Sequence, residues 1–131
     1  MKTGRILNTA LIEAISSVGH TQTLVIGDAG LPVPRQVRCI DLSVVRGVPR
    51  FRDVLEAVAS EMVVEKVFFA EEARAKNPEL EELLDRAFPM VEKETVLHET
   101  FKNMTKDAVA VVRTGECTPF ANVILVGGVD F

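Results

Sequence analysis

Tryptophan and tyrosine are both absent from this 131-residue chain, so seven Phe and many Leu, Ile and Val must fill its core. Cysteine is scarce as well. Cys39 and Cys117 stand far apart and form no CxxC pair, which leaves zinc and dithiol chemistry without support. Two reduced thiols in a cytoplasmic protein is the expected state. No stretch approaches the roughly 20 apolar residues that span a bilayer. The N-terminus leads into an amphipathic segment, so neither membrane association nor a signal peptide is expected. A basic excess is missing too: the formal charge of −4 speaks against a nucleic-acid surface. Arg46, Arg50 and Arg52 read as a solvated rim. No Gly-rich phosphate loop, serine nucleophile elbow or HExxH is present, which disfavours a nucleotide-binding module and a metal site.

What is present alternates between two periods. The length suits one domain over 1–131 with a single core. Leu11, Ile12, Ile15 and Val18 recur at helical spacing, with Asn8 placed as N-cap and Leu7 able to staple onto Ile12. Thr23 to Gly27 is a buried-strand run, followed by the loop Asp28-Ala29-Gly30-Leu31-Pro32-Val33-Pro34. Val37 to Leu42 reads as a second strand, the stripe Phe51, Val54, Leu55, Val58 and Met62 as a helix, and Val63 to Ala70 as a third strand. The next helix breaks at Asn77-Pro78, read as an N-cap followed by proline in the first turn. Its acidic residues Glu79, Glu81, Glu82 and Asp85 form a solvated face. Glu92 to Leu97 reads as an edge strand and Glu99 to Lys106 as a short helix; Ala108 to Val112 and Val123 to Val126 read as core strands. Gly127-Gly128 reads as a bend or bulge. The alternation predicts an α/β chain, a three-layer α/β/α domain with a mostly parallel central sheet.

In such a sheet the polar residues to watch lie just past strand ends. Asp28 follows an apolar run and enters a loop stiffened by two prolines, where an ionised carboxylate can accept several hydroxyl hydrogen bonds. An Asp that caps its own loop fits the residues equally well. The histidines number only two. His20 follows the first helix, whose C-terminal dipole favours the imidazolium and suits a general acid, although a surface histidine assisting the helix end fits there too. His98 stands at the boundary between the strand ending at Leu97 and the next helix, where a half-buried hinge histidine is the plainer reading. Arg113 to Asn122 is a polar, turn-rich loop between two apolar strands and a plausible site wall.

Taken in order and spacing, Gly19-His20, Asp28 to Pro34, Glu61-Met62 with Val64-Glu65, His98-Glu99, and Arg113-Thr114-Gly115-Glu116 to Ala121-Asn122 resemble the D-ribose pyranase family over nearly the whole chain. The related L-fucose mutarotases share the glycine–histidine pair, but the loop from Asp28 to Pro34 looks like the ribose branch. The resemblance implies a cofactor-free, metal-free isomerase of the cytoplasm that interconverts pyranose and furanose forms of D-ribose and feeds a kinase after uptake. It implies His20 as the catalytic histidine, and Asp28, His98, Phe120, Ala121 and Asn122 as sugar-binding positions, with Lys102 a further candidate at the same pocket. It also implies a homo-oligomer, a decamer of two stacked pentamers with sugar bound between neighbours. A mutarotase for another sugar such as L-fucose, or a sugar-binding accessory protein without turnover, are the alternatives.

One departure concerns Phe120, where the ribose branch usually carries tyrosine. The ring can still pack on a sugar, but a hydroxyl hydrogen bond worth about 0.5–1.5 kcal/mol is gone. That bears on sugar preference and not on proton chemistry. A second expectation is geometric. If Thr21 to Gly27 is one extended strand at about 3.3 Å per residue, His20 and Asp28 lie roughly 20 Å apart, too far for one pentose. His20 of one subunit is therefore expected to meet Asp28 of a neighbour.

Overall fold

The uncharged apolar runs become the inner strands of one six-stranded sheet, and the amphipathic segments become helices laid on it; the computed structural model describes residues 1–131. In chain order the elements are α1 (Thr9–Ser17), β1 (Thr23–Gly27), β2 (Arg38–Asp41), α2 (Phe51–Ala59), β3 (Val64–Ala70), α3 (Ala73–Lys76), α4 (Glu79–Ala87), β4 (Glu92–Val96), α5 (His98–Met104), β5 (Ala110–Arg113) and β6 (Val123–Gly127). A turn of 3-10 helix over Thr105–Asp107 follows α5. No helix is long and apolar enough to cross a membrane.

The sheet order is β2-β5-β1-β6-β3-β4. The pairs β2–β5, β5–β1 and β3–β4 are parallel, and β6 alone runs antiparallel to both of its neighbours. The mostly parallel, three-layer expectation therefore holds, with one reversed strand inside the sheet. The layers are unequal. Alternate residues such as Leu24 and Ile26 point into the larger core, where α1, α2 and α4 supply Leu11, Ala14, Val54, Leu55, Val58, Leu80 and Leu84. Val25, Val111 and Ile124 face the other side, covered by Phe101 of α5 and by Leu31 and Val37 of the loop after β1, with half-buried residues such as Val33, Phe68 and Met104 packed around them. Phe69 and Phe101 are each about fully buried, the bulk that the missing Trp and Tyr would otherwise provide.

Local signals fall close to where the side-chain chemistry placed them. Asn8 Oδ1 accepts from the Leu11 N–H at 2.9 Å, the expected N-cap of α1, whereas Leu7 stays 60% exposed and does not staple. The break at Asn77-Pro78 separates α3 from α4, but Pro78 and not Asn77 is the N-cap of α4; Asn77 is the C-cap of α3, and its carbonyl accepts from the Leu80 N–H. His98 is the first residue of α5 rather than a hinge before it.

Candidate functional site

The topology sorts the polar residues to two ends of the sheet. Because β1, β2, β3, β4 and β5 share one direction, the segments leaving their C-terminal ends crowd together, and reversed β6 begins at that same end. Asp28, the Arg113–Asn122 loop and His98 meet there. His20 precedes β1 and lies at the opposite end, beside the start of β3 and the finish of β6.

At the first end, Asp28 and Asn122 hold each other. The Asp28 N–H donates to Asn122 Oδ1 at 2.8 Å, and Asn122 Nδ2 donates back to Asp28 Oδ2 at 3.0 Å. Asn122 is 1% exposed, so its amide is committed to this pair, while Asp28 is half-buried. Asp28 Oδ1 accepts from the Gly30 N–H at 2.9 Å, so the carboxylate does cap its own loop as well as facing outward. Gly27 leaves little room between them. A Cβ there would stand 2.6 Å from Leu31 Cδ2 and 3.1 Å from Asn122 Oδ1.

Phe120 and Ala121 adjoin this pair. Phe120 has a left-handed backbone, φ 59°, and its carbonyl accepts from the Asn122 N–H. Its ring meets the His98 ring edge-on, with centroids 5.0 Å apart, and His98 stacks on Phe101 from the other side at 6.2 Å. Ala121 is buried in the larger core. The His98 N–H donates to both oxygens of Glu72 at 3.1 Å, which satisfies the first turn of α5. His98 Nδ1 is buried and has no hydrogen-bond partner in the chain. Lys102 lies one turn along the same helix face and pairs with Glu99 at 2.7 Å. A cleft of about 540 Å³ opens beside Asp28, walled by Ala29, Gly30, the Ser43–Arg46 turn and Gly115 to Pro119. Val44, Val45 and Val48 leave its outer edge apolar and exposed.

Glu116 ties this end together; it belongs to the loop string that carries the resemblance, but the sequence assigned it no role of its own. Its carbonyl accepts from the Ala29 N–H, and its carboxylate accepts from the Phe51 N–H at 3.1 Å and from Thr118 Oγ1 at 2.9 Å. Burial pushes this carboxyl up, but the hydrogen bonds from Thr118, Phe51 and Cys117 outweigh it and hold it below its ordinary 4.5. A carboxyl depressed by folding stabilises the fold above its unfolded value and stops doing so as the pH falls through the folded one. Glu116→Gln is therefore expected to be less stable than wild type at neutral pH, with the gap closing on acidification below 4.5, as read from urea midpoints across that range.

At the far end, His20 Nε2 and Glu65 Oε2 are 2.9 Å apart, both side chains about half exposed. Thr21 has a left-handed backbone, φ 70°, an uncommon state for a β-branched residue. This corrects the expected geometry. Thr21 lies in a turn, and the extended segment begins only at Thr23. Five residues of strand, about 16 Å, still separate the His20 turn from Asp28. Thr21 and Phe120 are the chain's two non-glycine residues with positive φ, and one falls in each half. Such strain persists where the surroundings enforce it, commonly at functional sites.

These features define a class: a small α/β protein with a carboxylate–amide anchor suited to hydroxyl groups and a separate histidine–carboxylate pair suited to moving protons. The chain belongs to the RbsD / FucU transport protein family, whose model matches residues 1–130. Its relatives include the D-ribose pyranase of Geobacillus thermodenitrificans, 49% identical over all of this chain and 99% of that one. A D-ribose pyranase of Haemophilus influenzae is 48% identical over the full length of both. Among solved structures, Bacillus subtilis RbsD complexed with D-ribose matches with a TM-score of 0.96 at 50% identity, covering each chain completely. The fucose mutarotase of Streptococcus pneumoniae in complex with L-fucose shares the fold, with a TM-score of 0.81 at 20% identity over 95% of this chain and 94% of that one.

Proposed function

We propose that this chain is an isomerase that interconverts the pyranose and furanose forms of D-ribose by opening and reclosing the sugar ring. The observation that carries the reading is the full-length match, at 50% identity, to a protein solved with D-ribose. The L-fucose-bound relative, at 20% identity, speaks only for the fold.

Ring opening removes a proton from the anomeric hydroxyl, breaks the bond between the anomeric carbon and the ring oxygen, and delivers a proton to that oxygen. The product is the open aldehyde. Attack by a different hydroxyl on the carbonyl, with the reverse proton movements, closes a ring of another size. His20 is the proton shuttle, and a positioned acid–base group of this kind contributes about 10²–10⁴-fold. Asp28 accepts hydrogen bonds from sugar hydroxyls, and Asn122 holds that carboxylate in place. Phe120 packs against the sugar face, and Ala121 is the neighbouring sugar-binding position. His98 binds a hydroxyl or serves as the second proton-transfer group, and Lys102 is a further candidate contact. Phe120 lacks the hydroxyl of a tyrosine, which lowers affinity or shifts sugar preference without altering these steps.

The site is shared between subunits of a cytoplasmic homo-oligomer, a decamer of two stacked pentamers. Two observations support sharing: His20 and Asp28 at opposite ends of β1, and the exposed apolar edge of Val44, Val45 and Val48 beside the Asp28 cleft. The test is NMR exchange between ribose ring forms, with the spontaneous rate subtracted. Wild type is expected to accelerate pyranose–furanose exchange and His20→Ala to leave it at the spontaneous rate. No acceleration by wild type would sink the reading.

A further inference from the structure

Glu65 sits where a strand pairing is interrupted. Val64 pairs with Gly127 and Lys66 with Val126, so β3 spends one extra residue against β6, and that residue is Glu65. A bulge of this kind leaves its extra residue out of the ladder and re-aims the side chain. Here the carboxylate comes within 2.9 Å of His20 Nε2.

The turn that carries His20 is seated on the same spot. The Thr21 N–H donates to the Gly127 carbonyl at 2.9 Å, and the Gly127 N–H donates to the Gln22 carbonyl at 2.8 Å. Gln22 Oε1 accepts from the Gly19 N–H at 2.8 Å, closing the turn on itself. A Cβ on Gly127 would stand 2.7 Å from the Gly19 carbonyl oxygen and 2.7 Å from Val18 Cγ1, so only glycine lets the turn sit this close. The bulge, the glycine and the left-handed Thr21 together bring one imidazole to one carboxylate. An exposed ion pair contributes little to stability, about 0–1 kcal/mol. Stability therefore gives no account of a site assembled from a bulge, a strained turn and a glycine.

Resting on the reading above, we propose that Glu65 is the positioning residue of His20: it accepts a hydrogen bond from Nε2–H, fixes the ring's tautomer and orientation, and so makes Nδ1 the atom that takes the sugar proton and returns it. Which ring nitrogen is free to react is set by the bond the other one makes. Once Nδ1 is protonated, the Glu65 carboxylate stands beside the imidazolium and balances its charge.

The experiment joins kinetics to a spectroscopic readout. With two histidines in the chain, nitrogen-15 spectra of labelled His20 resolve its tautomer directly. Wild type is expected to show Nε2 protonated and Nδ1 bare, and Glu65→Ala to show both tautomers. In ribose exchange, Glu65→Ala should lose about 10–100-fold in kcat, the scale for a misplaced catalytic group, with KM unchanged because Glu65 does not touch the sugar. Glu65→Gln, whose amide oxygen accepts the same bond, should recover most of both readouts and guards against a folding defect. An unchanged tautomer, an unchanged kcat, or a loss confined to KM in Glu65→Ala overturns the inference while leaving the sugar reading standing. An inactive wild type removes both.

Discussion

Subunits carrying His20→Ala and subunits carrying Asp28→Ala, each inactive alone, are expected to regain activity when mixed and allowed to exchange. The reason is the path of β1. His20 lies before its first residue and Asp28 after its last, with five strand residues between them. At about 3.3 Å per residue that strand is longer than a pentose, so one chain cannot present both groups to one sugar. If the site joins His20 of one subunit to Asp28 of its neighbour, random mixing in equal amounts leaves about a quarter of the junctions with both groups intact. Recovery near that fraction of wild-type exchange is the expected result. Mixed assemblies proven by mass spectrometry, yet without any exchange activity, would show that the two residues do not share a site. The effect is large because each single variant should lose the whole acid–base or anchoring contribution, about 10²–10⁴-fold for the histidine.

Asn122→Ala is expected to lose sugar binding and stability together. The amide is buried at 1% exposure and makes two hydrogen bonds to Asp28. Its removal strands the Asp28 N–H and frees the carboxylate to swing, at about 1–3 kcal/mol for an unsatisfied buried group. Asn122→Asp should be worse at neutral pH. A carboxylate oxygen would replace the Nδ2 donor 3.0 Å from Asp28 Oδ2, and two like charges at that distance resist ionising together. One of the pair then has a raised carboxyl value in the fold, so its destabilisation is largest above that value and fades as the pH drops and the pair binds a proton. Urea midpoints at neutral and acidic pH, with ribose binding by calorimetry, separate the two variants. Equal stability of both at neutral pH would mean that Asn122 Nδ2 does not stand in close contact with the Asp28 carboxylate.

The residues that could be read in advance were those whose role follows from their immediate neighbours. Strands Thr23–Gly27 and Val123–Gly127 are uncharged apolar runs, and no other placement buries them. Asn8 precedes a helical stripe and caps it. Asp28 ends a strand and begins a proline-stiffened loop, which marks it without any knowledge of what faces it. Gly127-Gly128 announced an irregularity, and the bulge lies opposite Gly127. Glu65 was harder. It stands beside Lys66 at the charged start of a strand that is otherwise apolar, and only the register of β3 against β6 turns it toward His20. Glu116 stood in a recognisable loop string, yet its role stayed hidden for the same reason: its carboxylate works on the Phe51 N–H, in an element far along the chain.

The order of apolar and polar residues by itself determined that this chain alternates strands and helices, that Asp28, His98 and the loop to Asn122 lie at element ends, and that His20 and Asp28 flank one strand. Tertiary structure alone decided that β6 reverses within the sheet, that Asn122 reaches Asp28 from 94 residues away, and that Glu65 meets His20. The physical reason is range. Helical and strand periods, caps and turns come from sterics and hydrogen bonds within a few residues. A hydrogen bond between distant segments depends on strand order and register, which the burial of the whole core selects at once.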